Sequence, residues 1–389
     1  MRLSKLALCA GLAGVAFLGS KLSAQQAPAD GPYKILKTER PGGTGGFDYV
    51  DADPDNRNLF IVRGGRGGGG HVDVYNLDTV KLTGNIPNVS GGHGVAIDTA
   101  SGHGFVSSNP VVMFDAKTLA TIKTIPVTGN PDGLFADPST GHIWILSHSA
   151  PNVTVINGAD GAVVGTIDLG GAPEEGVSDG KGKCYVDIED KGTVAVVDSK
   201  TDTVTGTYSL GSAQGDAGLA IDAQNGILFS YCRNPAVCVI LGAADGKIIT
   251  TLPIGVGCDA AVFNPATMEA ISSQGDGTLT IIKETNPTTF AVEQTVKTPQ
   301  GAKCSALDTK TNNIFLASNE RAPASQPAAG AAGATAAAPA PAPGAAAAAG
   351  GAGAPATQPA AAPGGRRGGR GGRGGGNAGG VFVLTVVGK

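Results

Sequence analysis

Aromatic residues make up only 5% of this chain, with a single tryptophan, and charged residues only 15%. Packing must therefore rest on Val, Ile, Leu and Ala rather than on large rings. Cysteine is sparse, no Cys-x-x-Cys pair occurs, and the 5 histidines are dispersed, which removes zinc-ribbon and zinc-finger chemistry. The apolar run from Leu6 to Leu18 is too short for the roughly 20 residues that span a bilayer, so no transmembrane segment is expected. The glycine-rich stretch Gly64 to Gly70 lacks a following Lys-Ser/Thr and opens no helix, so it reads as a hairpin loop, not a nucleotide cradle.

What is abundant is glycine, 62 residues, set between short β-branched runs. From Gly129 to Leu169 four such runs (DGLFAD, HIWILS, NVTVIN, AVVGTIDL) alternate with Asp-Pro, Ser-Thr-Gly, Ala-Pro and Ala-Asp-Gly turns. Each run has the length and composition of a strand, and the four together form an antiparallel meander. The unit recurs. Its first strand ends in an acid or amide at Asp53, Asp98, Asp137, Asp179, Asp222, Asn264 and Asp308, spaced 39 to 45 residues apart. Four strands per repeat at that period define an all-β, seven-bladed β-propeller of four-stranded antiparallel blades. The last unit has only three strands of its own, and the spare run Tyr33 to Thr38 is expected to complete it beside Val381 to Val386.

This divides the chain into five segments. Residues 1–24 read as a secretory signal peptide, with Arg2 and Lys5 before the apolar run and cleavage after Ala24, which implies a periplasmic or secreted protein. Residues 25–32 read as a flexible N-terminus and 33–321 as the propeller up to part of blade seven. Residues 322–378, almost all Ala, Pro and Gly with Arg366, Arg367, Arg370 and Arg373, read as a disordered, exposed insertion, and 379–389 as the closing strand. The signal segment and the insertion are basic, so the propeller body is more acidic than the formal −4 of the whole chain. Nucleic acid is thereby a poor partner for the propeller faces, whereas the Arg-Gly insertion suits anionic surfaces.

Chemistry is sought where first strands converge on the axis. Five residues before each landmark stand Asp48, His93, Asp132, Glu174, Ala217, Asp259 and Lys303, with Asp216 and Glu175 adjoining. Such a set can hold a divalent cation such as Ca²⁺ or Mg²⁺, with His93 or Glu174 as catalytic base, or can simply line a wet channel. Both readings stay open. His71, His103, His142 and His148 are assigned to outer turns or second strands, away from this ring. Cys232 and Cys238, flanking Arg-Asn-Pro-Ala-Val at a hairpin, are expected to form a disulfide, while the pairing of Cys184, Cys258 and Cys304 stays open, with Cys258 to Cys304 across blades as one option.

The repeated pattern of inner strand, Asp-Pro-Ser-Thr-Gly, hydrophobic strand and V-x-V-x-D/N (GLFADPSTGHIWILSHSAPNVTVIN; VAVVDSKTDTVTGTYSLG) resembles the YVTN-type β-propeller repeats of exported bacterial YncE-like proteins. The resemblance covers residues 33–320 and the closing strand, although the Tyr-Val-Thr-Asn signature itself is absent. It implies an exported binding or scaffold protein that engages a protein, glycan or small ligand on one rim. Related seven-bladed propellers include lactonases and streptogramin lyases. That kinship implies the alternative of a divalent-metal-dependent hydrolase or lyase at the channel mouth.

Overall fold

The computed structural model describes residues 30–42, 46–64, 69–150, 152–320 and 380–389. The segments read as signal peptide (1–24) and insertion (322–378) lie outside the described residues. Within them, 28 strands form seven four-stranded sheets. Six sheets are simple meanders, exemplified by blade three: Pro131–Asp137, His142–Ser147, Val153–Asn157 and Val163–Ile167. The seventh is assembled from both ends of the chain, in the order Ser305–Asp308, Asn313–Glu320, Val381–Gly388, Lys34–Glu39. Lys34 pairs with Gly388 and Glu39 with Leu384, so the N-terminal strand is the outer strand of blade seven.

Turn chemistry explains why each blade folds where it does. The landmark carboxylate at the end of an inner strand caps the turn that follows: Asp53 accepts from the amides of Asp55 and Asn56, Asp222 from those of Gln224 and Asn225. A left-handed residue closes the turn, glycine at Gly141 (φ 69°) and Gly226 (φ 67°) but Arg57 and Asn312 elsewhere. Third strands end likewise, with Asp115 capping the amides of Lys117 and Thr118.

No blade has a core of its own. Instead, one aliphatic cluster fills each interface between neighbouring blades: Phe60, Val62 and Val74 of blade one, for instance, pack on Val95, Val106 and Phe114 of blade two. The same alternation overturns the expected disulfide. Cys232 pairs across the hairpin with Val237, not with Cys238, so the two thiols point to opposite faces. Cys232 packs between blades four and five, Cys238 between blades five and six, and both are free. Cys258 and Cys304 are free as well and belong to different interfaces.

Candidate functional site

Inner strands enter the ring through a distortion. In blades three, four, five and six the pairing with the second strand slips at the entry, between Pro131 and Leu134, Pro173 and Gly176, Asp216 and Leu219, and Cys258 and Ala261. A β-bulge of this kind re-aims the residues it contains. Those residues include Asp132, Glu174 and Asp259, which it turns toward the axis. Gly133 allows the approach, because a Cβ there would stand 2.3 Å from the carbonyl oxygen of Glu174.

The side chains so presented close a ring of alternating charge. His93 Nδ1 lies 2.7 Å from Asp48 Oδ2 and 3.2 Å from Asp132 Oδ1. His148 Nε2 continues it, 3.5 Å from Asp132 Oδ2 and 3.0 Å from Glu174 Oε2. Arg233 Nη2 stands 3.6 Å from Glu174 Oε1 and pairs closely with Asp259, while its Nη1 reaches Glu189 at 2.5 Å. Lys303 Nζ bridges Asp259 and Asp48, the latter at 2.9 Å, and returns to the start. Four carboxylates thus alternate with four basic groups around one mouth of the axis.

Six members are the residues expected from the repeat: Asp48, His93, Asp132, Glu174, Asp259 and Lys303. Two were missed. His148 was assigned away from the ring, yet it follows the second strand of blade three and leans inward. Arg233, at the end of the second strand of blade five (Ile227–Asn234), fills the gap left by Ala217. A forward count would have found them, since His148 and Arg233 each stand eleven residues beyond their landmarks, Asp137 and Asp222. Asp216 does not join the ring. It sits just before the bulge, opposite Cys232, and accepts from the amide of Ile188 in blade four at 3.1 Å. Glu175 turns below the ring and accepts from the amides of Leu219 and Ala261.

Proximity sets the protonation of these groups. Burial resists a charge on His93, but the hydrogen bond to Asp48 and the charge of Asp132 outweigh it and hold its pKa above the ordinary value. The hydrogen bond to Glu174 raises His148 further, to about 9, against the opposing effect of burial. Asp132 is pushed up to about 6 by burial and by the Glu174 and Asp48 charges, with His93 opposing. Burial would raise Asp48 too, but His93 and Lys303 hold it below the usual range.

Three groups of ligand atoms on this mouth lie within 4.8 Å of one another: Asp48, His93, Asp132; Asp132, His148, Glu174; and Asp48, Asp259, Cys304. The third is a poor fit for a cation. Lys303 already bridges its two carboxylates, and burial pushes the Cys304 thiol far up, away from the thiolate a metal needs. The first two share Asp132 and make a continuous arc of three carboxylates and two imidazoles. Oxygen donors suit Mg²⁺, Ca²⁺ and Mn²⁺, and the imidazoles shift preference toward Mn²⁺ or Zn²⁺.

No family model matches the sequence, and no curated protein matches it. Solved structures do match in shape. The chain is similar to the WD40 repeats of RRP9, with TM-score 0.60 and 12% identity over 75% of this chain and 91% of that one. It is similar also to U3-55K, with TM-score 0.60 and 11% identity over 73% of this chain and 90% of that one. At such identities the likeness shows the propeller fold alone, and the YVTN-type resemblance is carried by the repeat residues only.

Proposed function

We propose that the charged mouth is a divalent-cation site and the centre of a hydrolase or lyase acting on a lactone or cyclic ester. The observation that supports this most is the arc Asp48–His93–Asp132–His148–Glu174, in which two groups of three donors, drawn from four blades, share Asp132. A bound cation would supply Lewis-acid polarisation of a carbonyl. On its flanks Arg233 and Lys303 would stabilise negative charge developing on the carbonyl oxygen, and Glu174 would accept the proton that is removed. Activity of the Mn²⁺-loaded protein on a panel of lactones tests the reading. Turnover that falls at least a hundredfold in Asp132→Asn is expected; no turnover of any cyclic ester by the wild type would overturn it.

A second reading is supported by the completeness of the charge alternation, which leaves no carboxylate of the mouth without a cationic neighbour. Here the ring is a plug, and the protein is an exported YVTN-type scaffold that engages a protein, glycan or small ligand through a rim. The chain leaves blade seven at Glu320 and re-enters at Val381 on the rim that carries the ring, so the Arg-Gly insertion would meet an anionic surface from that side. Wild-type protein that takes up no divalent cation would favour this reading.

A further inference from the structure

Below the charged ring the axis opens into a chamber of about 380 Å³, lined by inner strands of blades one, four, five, six and seven. Its walls are small and aliphatic, including Ala220, Ala260, Ala261, Leu219 and Val262. Alanine at these places leaves the space that bulkier residues would fill. Toward the mouth the chamber is roofed by Tyr49, whose hydroxyl donates to the carbonyl of Glu174 at 3.5 Å. Toward the opposite rim it reaches Thr309, where an adjoining chamber carries Asp53 and Asp55.

Two carboxylic side chains enter this chamber, Asp51 from blade one and Glu175 from blade four. Each is fixed by one oxygen to the backbone. Asp51 Oδ2 accepts from the amide of Val95 at 2.8 Å, and Glu175 Oε2 accepts from Leu219 at 2.6 Å and Ala261 at 3.1 Å. Among the described residues no hydrogen bond engages the second oxygen of either, and no basic residue lines the chamber. Fixed acceptors in a largely apolar cleft are the usual makings of a small-molecule site, with the polar groups fixing orientation and the walls supplying affinity.

We propose that this chamber, at the far side of the ring from the mouth, binds a small organic cation: a primary ammonium on a short apolar body. The ammonium would bridge the free oxygens of Asp51 and Glu175, and the body would lie against Ala260, Ala261 and Leu219. Charge selects the class. No basic side chain lines either chamber among the described residues, so an anion finds no counter-charge there. Burial pushes the Asp51 carboxyl up to about 7, and an ammonium beside it favours the ionised form and gains a charge-assisted hydrogen bond that a neutral molecule forgoes. Tyr49, bonded to the Glu174 carbonyl, stands between the site and the mouth.

Calorimetric titration of n-hexylammonium chloride into the purified protein, with 1-hexanol as the neutral isostere, tests the proposal. Saturable binding of one equivalent is expected, at least tenfold tighter than for hexanol. Glu175→Gln and Asp51→Asn should each weaken it at least tenfold, and Asp132→Asn, which acts on the mouth, should leave it unchanged. Failure of wild type to bind hexylammonium, or equal binding of hexanol, would overturn the proposal whether or not the variants fold. Binding lost in Asp132→Asn but retained in Glu175→Gln would overturn it too, by placing the cation at the mouth.

Discussion

Asp132 is the residue on which the mouth turns, because its two oxygens face two different imidazoles. The carboxylates beside them raise the pKa of both imidazoles, and this makes the ring sensitive to alkali. His148 has a folded pKa of about 9, above the ordinary 6.5, so its stabilising contribution is complete below pH 6.5 and is lost as pH rises through 9. Asp132, raised to about 6, acts in the same direction between pH 4 and 6. Thermal denaturation at pH 6 and pH 9.5 should therefore show a loss of about 2 kcal/mol at the higher pH, after allowance for partial exposure. His148→Gln should remove most of that difference. Equal slopes in the two proteins would show that His148 is not held charged by Glu174.

At the scale of one element, the turn after each inner strand carries a heavy share of the architecture. Arg57, in the left-handed position of blade one, sends Nη1 and Nη2 to the two oxygens of Asp308 in blade seven at 2.8 and 2.7 Å. That carboxylate is fully buried, so Arg57→Ala would leave it unpaired across the closing interface. A loss of about 3 kcal/mol in denaturant unfolding is expected, with the far interfaces unaffected. Gly141→Ala, with φ at 69°, should cost about 1 kcal/mol in the same measurement. These turns were the most legible part of the sequence, since Asp-Pro-Ser-Thr-Gly announces both the capping acid and the left-handed residue. Side-chain facing across hairpins was less so. Residues 232 and 238 are close in sequence, but strand alternation sends them to different interfaces, and only the register (Cys232 opposite Val237) reveals it. His148 and Arg233 escaped notice for a related reason. They reach the mouth from second strands, whereas the repeat count followed only the first.

Across the whole molecule, the chain depends on closing its seventh blade from both ends. Phe382 is fully buried there, edge-on to Phe47 at 5.7 Å and beneath the guanidinium of Arg63 at 3.9 Å. Phe382→Ala should cost about 3 to 5 kcal/mol, a cavity effect that a propeller without this closure would not show. Closure also fixes the mouth, because Asp48 follows Phe47 and Lys303 lies at the entry to blade seven, on either side of the seam. The fold was readable from period and turn chemistry. The six ring members at the entries of first strands were readable, and the other two, His148 and Arg233, depend on how the ends of second strands lean over the axis.

The most direct test of this account is calorimetric titration of Mn²⁺ at pH 7.5 in two buffers of different ionisation enthalpy. Because a ligating imidazole must be unprotonated, the account predicts saturable binding of one ion, with a buffer-dependent heat that reports proton release, and loss of both in Asp132→Asn. Absence of binding, or binding with no proton released, would contradict the claim that the His93 and His148 arc is a cation site.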